Sequence, residues 1–173
     1  IKPQMLESAA PSIAPLVGSQ TLVVSILAGK TIGDIRARLP ASAVVRAMPN
    51  LPALVQRGVT GCAASPEVTA RQREITDALL SGIGRVEWVG DEALVDAVTA
   101  VSGSGPAYVF YLTECLAKAG AELGLPPDLA ERLARATVEG AGELLHRSEL
   151  PPSTLRENVT SPGGTTAAAL AVL

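Results

Sequence analysis

The chain has 173 residues, of which 47% are hydrophobic and 18% charged, and its formal net charge is −3. This composition is typical of a folded globular protein and excludes a disordered chain. No cluster of Lys or Arg gives the electrostatic signature of a nucleic-acid-binding protein, and no apolar run is long enough to cross a bilayer. We therefore expect neither a nucleic-acid partner nor a membrane partner, and a cytoplasmic location.

The chain holds two cysteines and one histidine. Cys62 and Cys115 are far apart and fit no metal-binding spacing, so we expect two buried free thiols of a reducing compartment and no metal site. His146 lies near the end of a predicted helix, where a cation suits the helix dipole. So few Cys and His residues argue against zinc chemistry and against a Ser-His-Asp triad.

The first half of the chain alternates strand and helix patterns. Short β-branched and apolar runs typical of buried strands alternate with amphipathic helical patterns, which favours a largely parallel sheet in an α/β domain. Residues 8–20 contain prolines and a glycine and are predicted to be loosely ordered. The predicted strands cover residues 21–27, 43–47, 59–63 and 85–89, and the predicted helices cover residues 31–39 and 67–80.

Strand patterns end near Asp91, and the remainder is predicted to be all-α. We place a domain boundary there, with one domain over residues 1–90 and a second over residues 91–173. The helix predicted for residues 107–123 is apolar almost all round and should be buried in a large core or against another chain. Because the second domain is too small to bury its helices alone, we predict an intertwined homodimer. Its helices are predicted over residues 92–101, 107–123, 129–145 and 154–160, with another beginning near residue 165.

Two helix starts are rich in glycine and small hydroxyl residues, at residues 101–106 and 160–166. Free backbone N–H groups and the helix dipole make such a start an anion site. Neither segment holds a Lys or Arg, so a small carboxylate fits better than a phosphate. The alternative is that these glycines only turn the chain or let helices approach closely.

Two turns that follow predicted strands are candidates for a ligand crevice. In an open parallel sheet, ligands bind beyond the carboxyl ends of the strands, which are occupied here by Ala28 and Gly29 and by the segment 48–50. Lys2 is a candidate for the end of a further strand. The alternative for each is an ordinary connection. Glu92 is a candidate carboxylate near a cationic substrate nitrogen, although the start of a helix also suits an acidic residue.

Two long segments, residues 97–108 and 158–166, resemble the two signatures of pyrroline-5-carboxylate reductases. The segments at residues 1–3, 25–29 and 48–50 also match that family in order and spacing. The resemblance covers essentially the whole chain. It implies a Rossmann-type nicotinamide-binding domain followed by a helical dimerisation domain, so that the fold class is α/β followed by all-α.

The implied activity is reduction of 1-pyrroline-5-carboxylate to L-proline by hydride transfer from NADPH or NADH, the last step of proline biosynthesis. The implied partners are the small imino-acid substrate and a second copy of the chain, with a ring of dimers as a larger assembly and sites shared between protomers. Thr166 would hydrogen-bond the imine nitrogen and act as the catalytic residue. The implied cofactor contacts are Ile1, Lys2, Pro3, Ile26, Leu27, Ala28, Asn50 and Asn158. The implied substrate contacts are Glu92, Ser161, Gly163, Gly164, Thr165 and Thr166.

The sequence departs from the family pattern in two ways. Leu51 stands where the family usually has threonine. No G-x-G-x-x-G fingerprint occurs, so we expect an incomplete copy of the enzyme that holds the cofactor poorly by itself. Two alternatives stay open: a non-catalytic dimerisation module, and another Rossmann reductase of the hydroxyacid dehydrogenase type. The latter usually has a catalytic lysine in its long central helix, where this chain offers only Lys118.

Overall fold

A computed structural model describes residues 1–172 as two compact units, Ile1–Tyr108 and Val109–Leu173. Leu173, the last residue of the predicted helical domain, lies outside the described residues. The division between them falls between Tyr108 and Val109 in the sequence. The predicted boundary at residues 90 and 91 stays a prediction.

The first unit is built on a four-stranded sheet with its strands in the order β1-β2-β3-β4. The neighbours β1–β2 and β3–β4 are parallel, whereas β2 and β3 are antiparallel. The connection from β2 to β3 is too short for the crossover of a dozen or more residues that a parallel pair needs. The prediction of a largely parallel sheet is thus confirmed, with one reversal. The strands are β1 (Leu22–Ser25), β2 (Ala43–Met48), β3 (Gly58–Ala64) and β4 (Gly84–Trp88).

Short helices cover this sheet, and several have side-chain caps. Thr31 and Asp34 form a capping box at the second helix, as Thr69 and Gln72 do at the third. These reciprocal hydrogen bonds satisfy N–H groups that a helix start leaves without partners. Hydrogen bonds from the backbone and hydroxyl of Thr31 lower the pKa of Asp34. The helices are α1 (Leu6–Ile13), α2 (Ile32–Arg36), α3 (Ala70–Leu80) and α4 (Leu94–Val98).

Helix α1 corrects the prediction that residues 8–20 are loosely ordered. Leu6 and Ala10, one helical turn apart, are buried in a cluster with Leu27 and Ile35. Their burial stabilises a helix that contains Pro11, although proline inside a helix removes one backbone hydrogen bond. A 3-10 turn over Ala14–Leu16 follows α1.

The second unit is helical, as predicted, and its long helices expose most of their apolar side chains. Among the described residues from 109 onward, the buried hydrophobic side chains belong to Ala130 and Ala134. Cys62 is buried in the first unit, whereas Cys115 is exposed on α5, so the expected burial of Cys115 is wrong for the single chain. The helices are α5 (Gly105–Glu122), which begins in the first unit, then α6 (Pro127–Arg147), α7 (Pro152–Asn158) and α8 (Thr165–Leu170).

The apolar surface of the second unit includes a groove between α5 and α6 with a volume of about 740 Å³. Val109, Phe110 and Val138 contribute apolar lining, and Lys118 and Glu131 contribute charge. Large exposed apolar patches mark interaction sites, so we expect this surface to contact another chain. Within residues 1–172, no helix combines the length and apolarity that a membrane span requires.

Candidate functional site

The turn after β1 is closed and presents an apolar surface. The Lys30 N–H donates to the Leu27 carbonyl at 3.1 Å, and Gly29 has a φ of +70°, a conformation that favours glycine. Leu27 is buried in the core, whereas Ile26 is 58% exposed and Ala28 is also exposed. Of the three predicted cofactor contacts in this turn, Ile26 and Ala28 are therefore accessible, and Leu27 supports the turn from beneath.

The segment after β2 lies at the same edge of the sheet as this turn. The parallel pairing places Ser25 beside Arg46, so both strands end in the same direction. Asn50, which follows β2, is half-buried, and its side chain makes two hydrogen bonds. Its Oδ1 accepts from the Val59 N–H at 2.9 Å, and its Nδ2 donates to the Ser102 carbonyl at 3.1 Å. Asn50, a predicted cofactor contact, therefore also has a structural role.

The first three residues lead into α1. Lys2 has extended backbone, its carbonyl accepts from the Met5 N–H at 2.9 Å, and Pro3 begins a 3-10 turn. Ile1 and Lys2 are exposed and available for contact. Leu6 of the following helix packs in the same core cluster as Leu27. The cofactor role of Ile1, Lys2 and Pro3 stays a prediction.

Glu92, a predicted substrate contact, is engaged within the first unit. Its Oε1 accepts from the Ile32 N–H at 2.7 Å and lies 3.5 Å from Nη1 of Arg46. Arg46 is only 5% exposed, and its Nη2 also donates to Oδ1 of Asp96 at 2.9 Å. A buried guanidinium needs such carboxylate partners, because burial of an unpaired charge is costly.

The sequence interpretation missed Arg46 and Asp96. A signal was available, since Arg46 interrupts an apolar run whose neighbours on both sides of β2 are buried. A charged residue inside a buried strand predicts a partner of opposite sign. The sequence does not say which carboxylate that partner is.

The second unit presents an uncapped helix start at Thr165. Gly164 is the N-cap residue, without a side-chain hydrogen bond, and the first helical hydrogen bond runs from the Ala168 N–H to the Gly164 carbonyl. The first turn of a helix leaves its N–H groups without helical acceptors, so those of Thr165, Thr166 and Ala167 face outward from the helix end. The prediction of a donor-rich helix start is consistent with this geometry.

The loop before α8 is shaped by Gly163, which has a φ of +71°. The Gly164 N–H donates to the Ser161 carbonyl at 3.0 Å, which closes the turn. Ser161, Gly163 and Thr165 are exposed, and Thr166 is half-buried. The structure therefore brings five predicted substrate contacts together in one accessible segment: Ser161, Gly163, Gly164, Thr165 and Thr166.

Asn158, a predicted cofactor contact, is the last residue of α7 and is exposed. The glycine-rich start at residues 101–106 takes a different form, because residues Thr99–Gly103 form a π-helical turn. Its Ser102 hydroxyl donates to the Val98 carbonyl at 3.0 Å. The polar groups of Ser102 are thus engaged within the first unit.

The accessible side chains of Ile26 and Ala28 offer an apolar surface at the carboxyl ends of parallel strands, which is compatible with the flat ring of a nicotinamide. The chain contains no G-x-G-x-x-G segment to cradle a pyrophosphate. The residues present therefore fit one end of a dinucleotide. Within residues 1–172, no group of three or more His, Cys, Asp or Glu side chains is arranged to hold a metal ion.

Comparison with known proteins agrees with this architecture. A family profile described as "Pyrroline-5-carboxylate reductase dimerisation" matches residues 92–173. The pyrroline-5-carboxylate reductase of Pseudomonas aeruginosa is 45% identical over 98% of this chain and 63% of its own length. That of Synechocystis sp. is 46% identical over the whole chain and 64% of its own length. The chain thus spans somewhat less than two thirds of these relatives.

Solved structures show the same fold. A pyrroline-5-carboxylate reductase from Coxiella burnetii superposes with a TM-score of 0.90 at 38% identity, over 99% of this chain and 64% of that one. A pyrroline carboxylate reductase from Plasmodium falciparum, solved with NADP bound, superposes with a TM-score of 0.85 at 32% identity. That match covers all of this chain and 69% of the Plasmodium chain. The partial Rossmann-like sheet followed by helices is therefore confirmed, and the chain belongs to the pyrroline-5-carboxylate reductase family.

Proposed function

We propose that this chain forms the substrate-binding and part of the nicotinamide-binding region of an enzyme that reduces 1-pyrroline-5-carboxylate to L-proline with NADPH or NADH. Membership of the family supports the reaction class. The NADP in the Plasmodium relative supports the choice of cofactor. The proposal places the enzyme in the cytoplasm, in the last step of proline biosynthesis.

The observation that carries this proposal is the uncapped start of α8. The N–H groups of Thr165, Thr166 and Ala167 belong to the first turn of α8 and adjoin the turn closed by Ser161 and Gly164. Such a group of donors suits an anion. Residues 160–166 hold no Lys or Arg, so the site suits the single carboxylate of a small imino acid better than a phosphate.

The chemistry follows from how the ring of this substrate would be held. With the carboxylate on the loop Ser161–Thr165, the hydroxyl of Thr166 hydrogen-bonds the imine nitrogen and orients the adjacent C=N carbon. A bound nicotinamide supplies the hydride to that carbon. The imine is reactive when its nitrogen is protonated, so addition of hydride yields the neutral amine and no strong protein acid is required.

The cofactor contacts are proposed from two sets of residues. In the first unit, Ile26 and Ala28 offer accessible apolar surface, Leu27 supports them, and Asn50 lies at the same edge of the sheet. Asn158 is the proposed contact from the second unit. Ile1, Lys2 and Pro3 complete the proposed set.

We also propose a homodimer formed through the second unit, with a ring of dimers as the larger assembly. The support is the apolar surface that α5 and α6 expose in the single chain. The description of the matching family profile, which names dimerisation, agrees with this assembly.

A reductase assay tests the proposed function. We would follow oxidation of NADPH and NADH with 1-pyrroline-5-carboxylate as substrate, in the 173-residue chain and in a longer natural chain that contains it. We expect imine-dependent oxidation in the longer chain. Oxidation with oxo-acid substrates only, which a hydroxyacid dehydrogenase would reduce to hydroxy acids, would favour that alternative. A dimer without activity toward either the imine or the oxo acids would favour the non-catalytic module.

A further inference from the structure

The side chain of Asn50 connects three segments of the first unit. It follows the end of β2, accepts from the Val59 N–H at the start of β3, and donates to the Ser102 carbonyl in the segment that leads into α5. The two bonds measure 2.9 and 3.1 Å and use both ends of the amide. Such a side chain has little freedom to turn, because each end would lose its partner.

The Ser102 carbonyl lacks its ordinary helical donor. In an α-helix, a carbonyl accepts from the N–H four residues later, and here that residue is Pro106, which has no N–H. The next donor along the chain, the Ala107 N–H, bonds to the Ser104 carbonyl at 2.9 Å instead. Without an outside donor, a half-buried carbonyl would lose a hydrogen bond on folding.

The backbone around Ser102 is also irregular. Residues Thr99–Gly103 form a π-helical turn, in which the Ser104 N–H bonds to the Thr99 carbonyl five residues earlier at 2.9 Å. This turn packs closely on the end of β2, since a Cβ added to Gly103 would lie 3.1 Å from the methyl carbon of Met48. Such wide turns are often found at functional sites.

We propose that the amide of Asn50 substitutes for the missing N–H of Pro106 and thereby positions the π-helical turn against the sheet edge that carries the proposed nicotinamide contacts. Asn50 is then a positioning residue in addition to a predicted cofactor contact. The structural part of this inference is independent of the proposed function, and only its effect on cofactor binding rests on that function.

A double-mutant cycle in this chain tests directly whether the Asn50 amide replaces the missing N–H of Pro106. Asn50→Asp keeps the shape and the acceptor for Val59, but it places a carboxylate oxygen against the Ser102 carbonyl. Pro106→Ala supplies an N–H four residues after Ser102. We expect Asn50→Asp to raise the unfolding equilibrium constant about tenfold more in the natural background than in the Pro106→Ala background, because the carboxylate faces the Ser102 carbonyl in both and only the lost donor is replaced.

Pro152→Ala provides a matched control, because Pro152 also lies in the first turn of a helix, that of α7. The effects of Asn50→Asp and Pro152→Ala on the free energy of unfolding should be additive. Equal effects of Asn50→Asp in the natural and Pro106→Ala backgrounds would overturn the proposal, as would a neutral Asn50→Asp. If Asn50→Asp does not fold, Asn50→Ser, which is too short to bridge both partners, goes through the same cycle with the same criteria.

Kinetics in an active longer chain separate positioning from direct contact. We expect Asn50→Asp to raise the cofactor KM more than it lowers kcat, and Pro106→Ala to restore much of that KM. A KM that Pro106→Ala leaves unrestored would show that Asn50 acts on the cofactor by contact alone. If no chain reduces the imine, the proposed function fails, while the unfolding cycle still decides the structural inference.

Discussion

Glu92 Oε1 accepts a hydrogen bond from the backbone N–H of Ile32 at 2.7 Å, across 60 positions of sequence. The contact joins the start of α2 to the segment that precedes α4. The same carboxylate lies beside buried Arg46, so one side chain satisfies a helix start and a buried cation together. Glu92 therefore has a structural role in the first unit, whether or not substrate also contacts it.

Replacing Glu92 by glutamine should destabilise the first unit. The amide oxygen can still accept from Ile32, but the negative charge beside Arg46 is lost, and Asp96 is the other carboxylate contacting that guanidinium. We expect a loss of about 1–2 kcal/mol in the free energy of unfolding, measured by denaturant titration. Glu87→Gln, on an exposed position of β4, should change it by less than about 0.5 kcal/mol. A higher substrate KM with unchanged stability would instead indicate the predicted substrate contact.

Replacing Thr166 by alanine should lower turnover in an active longer chain. The hydroxyl that orients the imine nitrogen is removed, while the backbone N–H groups for the carboxylate remain. We expect a decrease in kcat of roughly 10²-fold or more and a smaller change in substrate KM. Thr137→Ala is the matched control, because the Thr137 hydroxyl donates to the Leu133 carbonyl within α6, outside the segment 160–166. An unchanged kcat in Thr166→Ala would remove the proposed catalytic role.

The contact between β3 and α4 leaves no room for a side chain at Gly61. A Cβ added there would lie 2.5 Å from Cγ1 of Val98, far inside normal contact distance. We expect Gly61→Ala to destabilise the chain by about 1–3 kcal/mol. Val98→Ala should reduce that penalty when the two are combined, since it removes the clashing methyl groups. Gly82→Ala, where the added Cβ meets nothing within 4 Å, serves as the control for thermal unfolding measurements.

The proposed dimer depends on the apolar surface of α5. Leu116 lies on that helix and is 43% exposed in the single chain. We expect Leu116→Asp to shift the sedimentation coefficient toward the monomer, because a charge buried without a partner at an interface is costly. Leu79→Asp places the same charge at a leucine of α3 that is 64% exposed, and association should not change. Equal association of both variants would contradict an interface at Leu116.

The alternation of strands and helices predicted most of this architecture, because buried strands and helical starts have local signals. The antiparallel β2–β3 pair depended instead on the length of a connection. The prolines and the glycine of residues 8–20 predict a loosely ordered segment, whereas the burial of Leu6 and Ala10 stabilises helix α1 around Pro11. In the site, the donor-rich loop at Ser161–Thr165 could be predicted from its residues. The pairings of Glu92 with Ile32 and of Asn50 with Ser102 could not, since they join segments distant in sequence.

The buried thiol of Cys62 should make stability fall at high pH. Burial, followed by the negative charge of Asp77, raises the pKa of Cys62 from 9.0 to about 12. Between these values the unfolded chain has lost the proton that the folded chain keeps, so the unfolding free energy decreases as pH rises. The stabilisation is complete below pH 9 and is lost as the pH approaches 12, at up to about 1.4 kcal/mol per pH unit. Denaturant titrations from pH 8 to 11 should show this slope reduced in Cys62→Ala. Cys115→Ala, which removes an exposed thiol, should keep it, and identical slopes in all three chains would show that Cys62 ionises freely in the folded protein.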